Sequence, residues 1–383
     1  MGASVSDQLT AEDAQWAAVT AAKLEAKFAA ERDRVGSRIP YIAVDGRYEE
    51  DMAVTFPGWW TNGFWPGILW QMFHATGDPS YMTPARTIEE TTLDGVIAAY
   101  EKLDHDVGFL WLLSAVADWR LTRNEASRVR GLHVATVLAG RFNPIGRFIR
   151  AWNEPGREGW AIVDSMMNIP LLFWATDETG DPRFAEVARL HADTMLANVV
   201  RADGSCNHIV CFDPATGEFE KAPAGQGYEA GSSWSRGQAW GIFGFARAYR
   251  HTGDERYLDA AKRVAHYFCS QVALTGGIAL VDFRQPAEPK VFDAIASCVA
   301  ADGLIELAEL VPEAERAFYR QWAMLILRAV ADRACDFDPA RDGVVQLCSD
   351  KYHDGRIHVP IIYADYFLLE AVLRLQGRAV DLW

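Results

Sequence analysis

Three stretches carry the same punctuation: ATGDPSY at Ala75–Tyr81, ETGDPRF at Glu178–Phe184 and HTGDERY at His251–Tyr257. In each, the glycine suits the left-handed position that closes one helix and the aspartate suits the N-cap of the next. Pro79 and Pro182 suit a first helical turn, so one helix stops and another starts almost at once. An apolar segment precedes each stretch and an amphipathic one follows it. Weaker versions of the turn stand at Leu121–Arg128 (LTRNEASR) and Leu310–Arg316 (LVPEAER). A helix–turn–helix unit that recurs in this way is an internal repeat of helical hairpins.

Working outward, the apolar members of the hairpins are Phe64–Phe73, Gly108–Trp119, Ile169–Ala175, Ala239–Tyr249, Ala294–Leu310 and Ile361–Leu375. Amphipathic partners follow most of them, as in Phe184–Asn198 and Arg256–Gln271, and Asp13–Asp33 reads as a further outer helix. Six inner helices ringed by outer ones predict an all-α fold, an (α/α)6 barrel. Strand-like pieces at Cys206–Phe212 and Gly277–Phe283 are expected as short β-hairpins at its rim. No long linker or low-complexity segment interrupts the repeat, so residues 1–383 are expected to form a single catalytic domain.

Composition narrows the function. Half of the residues are hydrophobic and 12% aromatic, with 14 Trp, which allows a large core and leaves rings over for a cleft. A formal charge of -15 without a Lys/Arg run argues against nucleic acid or an anionic membrane as partner. The six cysteines include no CxxC pair and read as reduced packing residues. No HExxH, EF-hand spacing or Gly-rich phosphate loop is present, so neither metal nor cofactor is expected. The N-terminal MGASVSDQLTAEDAQWAAV lacks a basic region followed by an apolar run, and a cytoplasmic location is the expectation. The oligomeric state is left open.

The loops leading into the inner helices converge on one end of such a barrel, and they hold the unusual residues. Asp164 lies among Trp160, Ile162, Val163, Met166 and Met167, which would desolvate its carboxylate and raise its pKa. Such an acid is either a buried cap or a proton donor. Asp106, in LDHDVGF, offers a second carboxylate under the same two readings. Pro170 belongs in a first turn, so the helix is expected to begin near Met167 or Asn168, with Asp164 just outside it. Arg236, between Trp234 and Trp240, suits a carboxylate or ring hydroxyls, or else a salt bridge to a neighbouring loop. Asp293 and Asp365 read as caps or supports, and His208 and Gln226 as rim residues of a long excursion.

With these residues in view, FWPGILW, LDHDVGF, VDSMMNIPLLFWA, SSWSRGQAWGIFGFA and YADYFLLEAVLRL, in that order over residues 55–375, resemble glycoside hydrolase family 88, the unsaturated glucuronyl hydrolases. The resemblance implies an (α/α)6 barrel acting on lyase-generated oligosaccharides whose terminal uronic acid carries a C4=C5 double bond. It implies hydration of that enol ether, with Asp164 as acid and base and Asp106 as the second essential acid. Trp60, His105, His208, Gln226, Trp234, Arg236 and Trp240 match substrate-binding positions; Arg236 as partner of the uronate carboxylate is an inference from charge. Unsaturated rhamnogalacturonyl hydrolases are similar, but His105, Asp106 and Gln238-Ala239-Trp240 favour glucuronyl substrates. A serine and lysine pattern associated with sulfated substrates is matched only in part, by Ser349 and Lys351. An inverting glycosidase on saturated chains and a non-catalytic carbohydrate-binding protein are the competing readings.

Overall fold

A computed structural model describes residues 9–383; residues 1–8, on which the start of the N-terminal reading falls, lie outside the described residues. The TGD turns form as their chemistry dictates. Gly77, Gly180 and Gly253 take φ of 71°, 72° and 68°, the left-handed conformation that glycine adopts without a Cβ penalty. The aspartate after each accepts the backbone N–H two residues on, from Ser80, Arg183 and Arg256 at 2.9, 3.0 and 3.0 Å. The threonine before each glycine accepts the N–H of that aspartate at 3.2 Å. At Leu121–Arg128, Arg123 takes the left-handed position with φ 63° and Asn124 caps the next helix through Ala126 N–H. At Leu310–Arg316 there is no left-handed residue; Val311 is extended, as a β-branched residue prefers.

The inner helices are Phe64–Thr76, Val107–Trp111 continued through a π-turn at Leu112–Val116 into Ala117–Thr122, Pro170–Thr179, Ser235–Thr252, Ala294–Leu310 and Ile362–Leu375. Each packs on the next, and Ile362–Leu375 packs back on Phe64–Thr76, closing the ring. The outer layer consists of Ala11–Val35, Met82–Ile88, Glu125–Gly140, Arg183–Asn198, Glu255–Val272 and Glu313–Arg333. Two layers of six make an (α/α)6 barrel. Inner helices are buried nearly all round, as their apolar sequences require, whereas Glu255–Val272 buries one face, with Leu258, Ala261, Val264, Ala265 and Phe268 among its buried residues. Trp383 sits within the ring, stacked on Phe367 at 5.8 Å and donating to Glu370. No described helix is long and apolar enough to cross a membrane.

The rim differs in part from expectation. Strand β1 (Phe142–Asn143) pairs with β2 (Phe148–Ile149), and β3 (Trp160–Ile162), β4 (Ile209–Phe212) and β5 (Phe219–Lys221) form an antiparallel sheet. The expected strand within Cys206–Phe212 is therefore β4. Gly277–Phe283 forms no hairpin; it makes isolated bridges, Leu280 to Phe292 and Asp282 to Trp234, with Pro286 and Pro289 in the intervening loop removing ladder donors.

Candidate active site

Asp164 and His208 are brought together by the rim sheet. Ile162 pairs with Ile209, and Val163 N–H donates to the His208 carbonyl at 3.0 Å, extending the register to the threshold of both side chains. Gln226 N–H donates to His208 Nδ1 at 3.1 Å, so Nε2 is the nitrogen that carries hydrogen, and it faces Asp164 Oδ1 at 3.4 Å. Trp234 lies against the other side of the imidazole, with ring centroids 4.0 Å apart. Gly225, at φ +63°, makes this approach possible: a Cβ there would come within 2.0 Å of His208 Nδ1.

Asp164 sits in a 3-10 turn, Val163–Met167, and the α-helix begins only at Pro170, two to three residues later than the sequence suggests. That turn is pinned from behind. Ser165 Oγ donates to the Ile162 carbonyl and meets His191 Nε2 at 2.6 Å, while His191 Nδ1 accepts Ile149 N–H. Burial pushes the His191 pKa down to about 3, so the imidazole stays neutral and its donor direction is set.

Asp106 closes the site from the neighbouring inner helix. Asn168 Nδ2 donates to Asp106 Oδ1 at 3.1 Å and to the Asp164 carbonyl at 3.4 Å, while Asn168 Oδ1 accepts Phe109 N–H at 2.8 Å. The side chain of Asn168 is thus the strut between the two acids, a role the sequence did not disclose. It fits because residue 108 is glycine; a Cβ there would stand 2.4 Å from Asn168 Cα. Burial, and then the carboxylates of Asp104 and Asp164, push the Asp106 carboxyl well above its usual range. Asp104, whose Oδ1 accepts Asp106 N–H at 2.8 Å, is itself pushed up to about 6 by burial.

Asp104, Asp106, Asp164 and His208 line a cavity of about 310 Å³ together with Trp59, Trp60, Trp152, Glu154, Gln226, Trp234 and Arg236. Asp104, Trp152 and Glu154 were not anticipated. Asp104 carries a signal in LDHD, two residues before Asp106, whereas Trp152 and Glu154 come from the rim after β2, where no helical period points to them. Among the described residues, no group of three or more His, Cys, Asp or Glu is placed to hold a metal ion.

Three of the residues expected to bind substrate have other surroundings. Trp240 does not reach the cavity; it is fully buried, packed on Phe109 and Phe367, because it faces the centre of the ring. His105 is also fully buried and lies beneath the site, Nε2 3.4 Å from Asp106 Oδ2, with its pKa driven well below the ordinary value by burial. Arg236 lines the cavity, but its guanidinium is spent on the protein. Nη1 donates to Asp293 Oδ2 at 2.6 Å and the Ser349 carbonyl at 2.9 Å, and Nη2 to Gln226 Oε1 at 3.0 Å and the Asp350 carbonyl at 2.6 Å. The salt bridge to a neighbouring loop is therefore the reading the geometry favours over a substrate carboxylate. Asp293 and Asp365 are supports as expected: Asp293 caps its helix through Ile295 N–H, and Asp365 accepts the N–H groups of Val344 and Val345. The Ser349 hydroxyl donates to the Phe292 carbonyl, while Lys351 is exposed.

Comparison with known proteins agrees with this architecture. The family model for Glycosyl Hydrolase Family 88 matches residues 44–250, and one for the D-glucuronyl C5-epimerase C-terminus matches residues 219–285. The chain is 38% identical to the unsaturated glucuronyl hydrolase of Bacillus sp. (strain GL1) over 336 residues, 85% of this chain and 88% of that protein. It is 34% identical to the unsaturated chondroitin disaccharide hydrolase of Streptococcus pyogenes serotype M1, over 82% and 80%. The crystal structure of the Bacillus sp. GL1 enzyme superposes with a TM-score of 0.87 at 35% identity, covering 95% of this chain and 97% of that one. The shared barrel and the extent of this identity place the chain in glycosyl hydrolase family 88.

Proposed function

We propose that this protein is an unsaturated glucuronyl hydrolase, releasing the 4,5-unsaturated glucuronic acid from the non-reducing end of lyase-generated oligosaccharides. The observation that carries the reading is the pair of buried carboxyl groups, Asp164 and Asp106, in one cavity flanked by Trp60 and Trp234, with Asn168 bridging the Asp106 carboxyl to the Asp164 backbone carbonyl. The activities of the relatives, on unsaturated glucuronyl and unsaturated chondroitin saccharides, support it. In this reading Asp164 delivers its proton to C4 of the enol ether, and water adds at C5, giving its proton back to the Asp164 carboxylate. The C5 hemiketal so formed opens by breaking its C5–O5 ring bond to a ketone, and the hemiacetal left at C1 collapses to an aldehyde and the free leaving sugar, without nucleophilic attack at the anomeric carbon. His208 Nε2–H steadies the Asp164 carboxylate between the two half-steps. Asp106, holding its proton through burial, donates to a ring hydroxyl and adds no second negative charge beside Asp164.

Trp60, Trp234, His208 and Gln226 form the walls against which the uronate ring rests. Arg236 serves this site as a positioning residue, tying Gln226 and the 349–350 loop to Asp293. The test is loss of near-ultraviolet absorbance from an unsaturated disaccharide. Asp164→Asn is expected to reduce the rate by about 10²–10⁴-fold with the fold intact, the scale of a lost general acid–base group. Bleaching at the unaltered rate in that variant would sink the mechanism, and reducing-end release from a saturated oligosaccharide would decide for an ordinary glycosidase.

A further inference from the structure

A groove of about 160 Å³ lies beside the cavity mouth, lined by Tyr41, Glu50, Met52, Phe56, Trp59 and Arg356. Trp59 lines both hollows, so they adjoin. Scattered exposed rings are ordinary on a protein surface, but these are adjacent and concave. Phe56 is 61% and Trp59 37% exposed, and their centroids lie 6.3 Å apart. Tyr41 backs Trp59 edge-on at 5.9 Å, and the Arg356 guanidinium stands 5.0 Å from the Tyr41 ring, beside Asp350. The result is an aromatic platform with a forked donor at one edge and the Glu50 carboxylate at the other, a few polar groups on a largely apolar floor.

We propose that this groove is a second sugar subsite, holding a pyranose residue of the leaving oligosaccharide beyond the sugar directly joined to the unsaturated uronate. The inference rests on the function proposed above. A terminal sugar that brings its C4 to Asp164 enters the cavity end-on, so the remainder of the chain leaves by the mouth, and the groove continues from that mouth across Trp59. The apolar face of a pyranose stacks on the Trp59 ring, with the Phe56 ring, tilted 54° to it, closing one side, and Arg356 and Glu50 bond hydroxyls at its edge.

The experiment compares kcat/KM for the unsaturated disaccharide and tetrasaccharide of one unsulfated polymer, in the unaltered protein and in Phe56→Ala, Arg356→Ala and Phe56→Tyr. The tetrasaccharide is expected to be favoured by about 3- to 10-fold, through a lower KM, on the scale of one aromatic contact. Phe56→Ala and Arg356→Ala bring the preference toward unity and leave disaccharide turnover unchanged, while Phe56→Tyr, which keeps the ring, keeps the preference. Equal use of both lengths by the unaltered protein, or a preference intact in Phe56→Ala, overturns the subsite. Equal losses on both substrates also overturn it, since the residues would then act through the main cavity or the fold. Failure to bleach even the disaccharide overturns the proposed function itself, and this inference with it.

Discussion

Replacing Arg236 by methionine tests whether this residue holds the protein together or holds the substrate. Methionine keeps an unbranched apolar stem but deletes the guanidinium, and with it the stacking on Trp234 and Tyr363 and the bonds to Asp293, Ser349, Gln226 and Asp350. Removing one partner of a buried ion pair costs about 3–5 kcal/mol when the other charge stays behind. Here the charge left behind is Asp293, already pushed up to about 6 by burial even with Arg236 beside it. A carboxyl whose folded-state pKa is raised contributes stability below its unfolded value, and that contribution is lost as pH rises through the folded pKa. In the unaltered protein the loss from Asp293 is complete a little above pH 6. Without the guanidinium the folded pKa climbs further, so the variant goes on losing stability up to about pH 8, by up to about 1.4 kcal/mol per pH unit. Urea unfolding followed by far-ultraviolet circular dichroism at pH 5 and pH 8 should therefore show a deficit of about 3–5 kcal/mol at pH 8 and a smaller one at pH 5. A variant as stable as its parent at both pH values, with a raised KM alone, would refute the reasoning and return Arg236 to the substrate carboxylate.

Asp104→Asn removes one of the like charges that keep the Asp106 proton in place, so the alkaline limb of the kcat/KM profile should move to lower pH, and a limb that stays or moves up contradicts the assignment. Asn168→Ala strands the buried Phe109 N–H and frees Asp106 from Asp164; about 1–3 kcal/mol of stability should be lost in chemical unfolding, with kcat falling about tenfold or more. Gly108→Ala drives a methyl into the Asn168 backbone, so the free energy of unfolding and kcat should fall together, the former by about 1–3 kcal/mol or more in chemical unfolding.

The barrel could be read from the chain because its signals are local. A left-handed glycine, an N-capping aspartate and a helical apolar period each act within a turn or two, and Gly77, Gly180 and Gly253 adopt the conformations their neighbours require. Asp164 and Asp106 could be picked out because carboxyls in apolar surroundings need either a partner or a task. Trp240 misled because a tryptophan beside Arg236 looks the same in sequence whether it faces the cavity or the middle of the ring. His105 misled in the same way, one residue from an acid that does reach the cavity.

By itself, then, the sequence determined the repeat, the all-α class and the end of the barrel that bears the unusual loops, and it singled out the two acids proposed for catalysis. Only the tertiary structure decided their company: the Asn168 strut, the tautomer of His208, the commitment of Arg236 to Asp293 and the cavity walls from Trp152, Glu154 and Asp104. Helix stops and caps are set by bonds between near neighbours in the chain, whereas Asn168 meets Asp106 across 62 residues and Arg236 meets Asp293 across 57. Contacts of that span exist only once the ring has closed and burial has imposed its demand that each polar group find a partner.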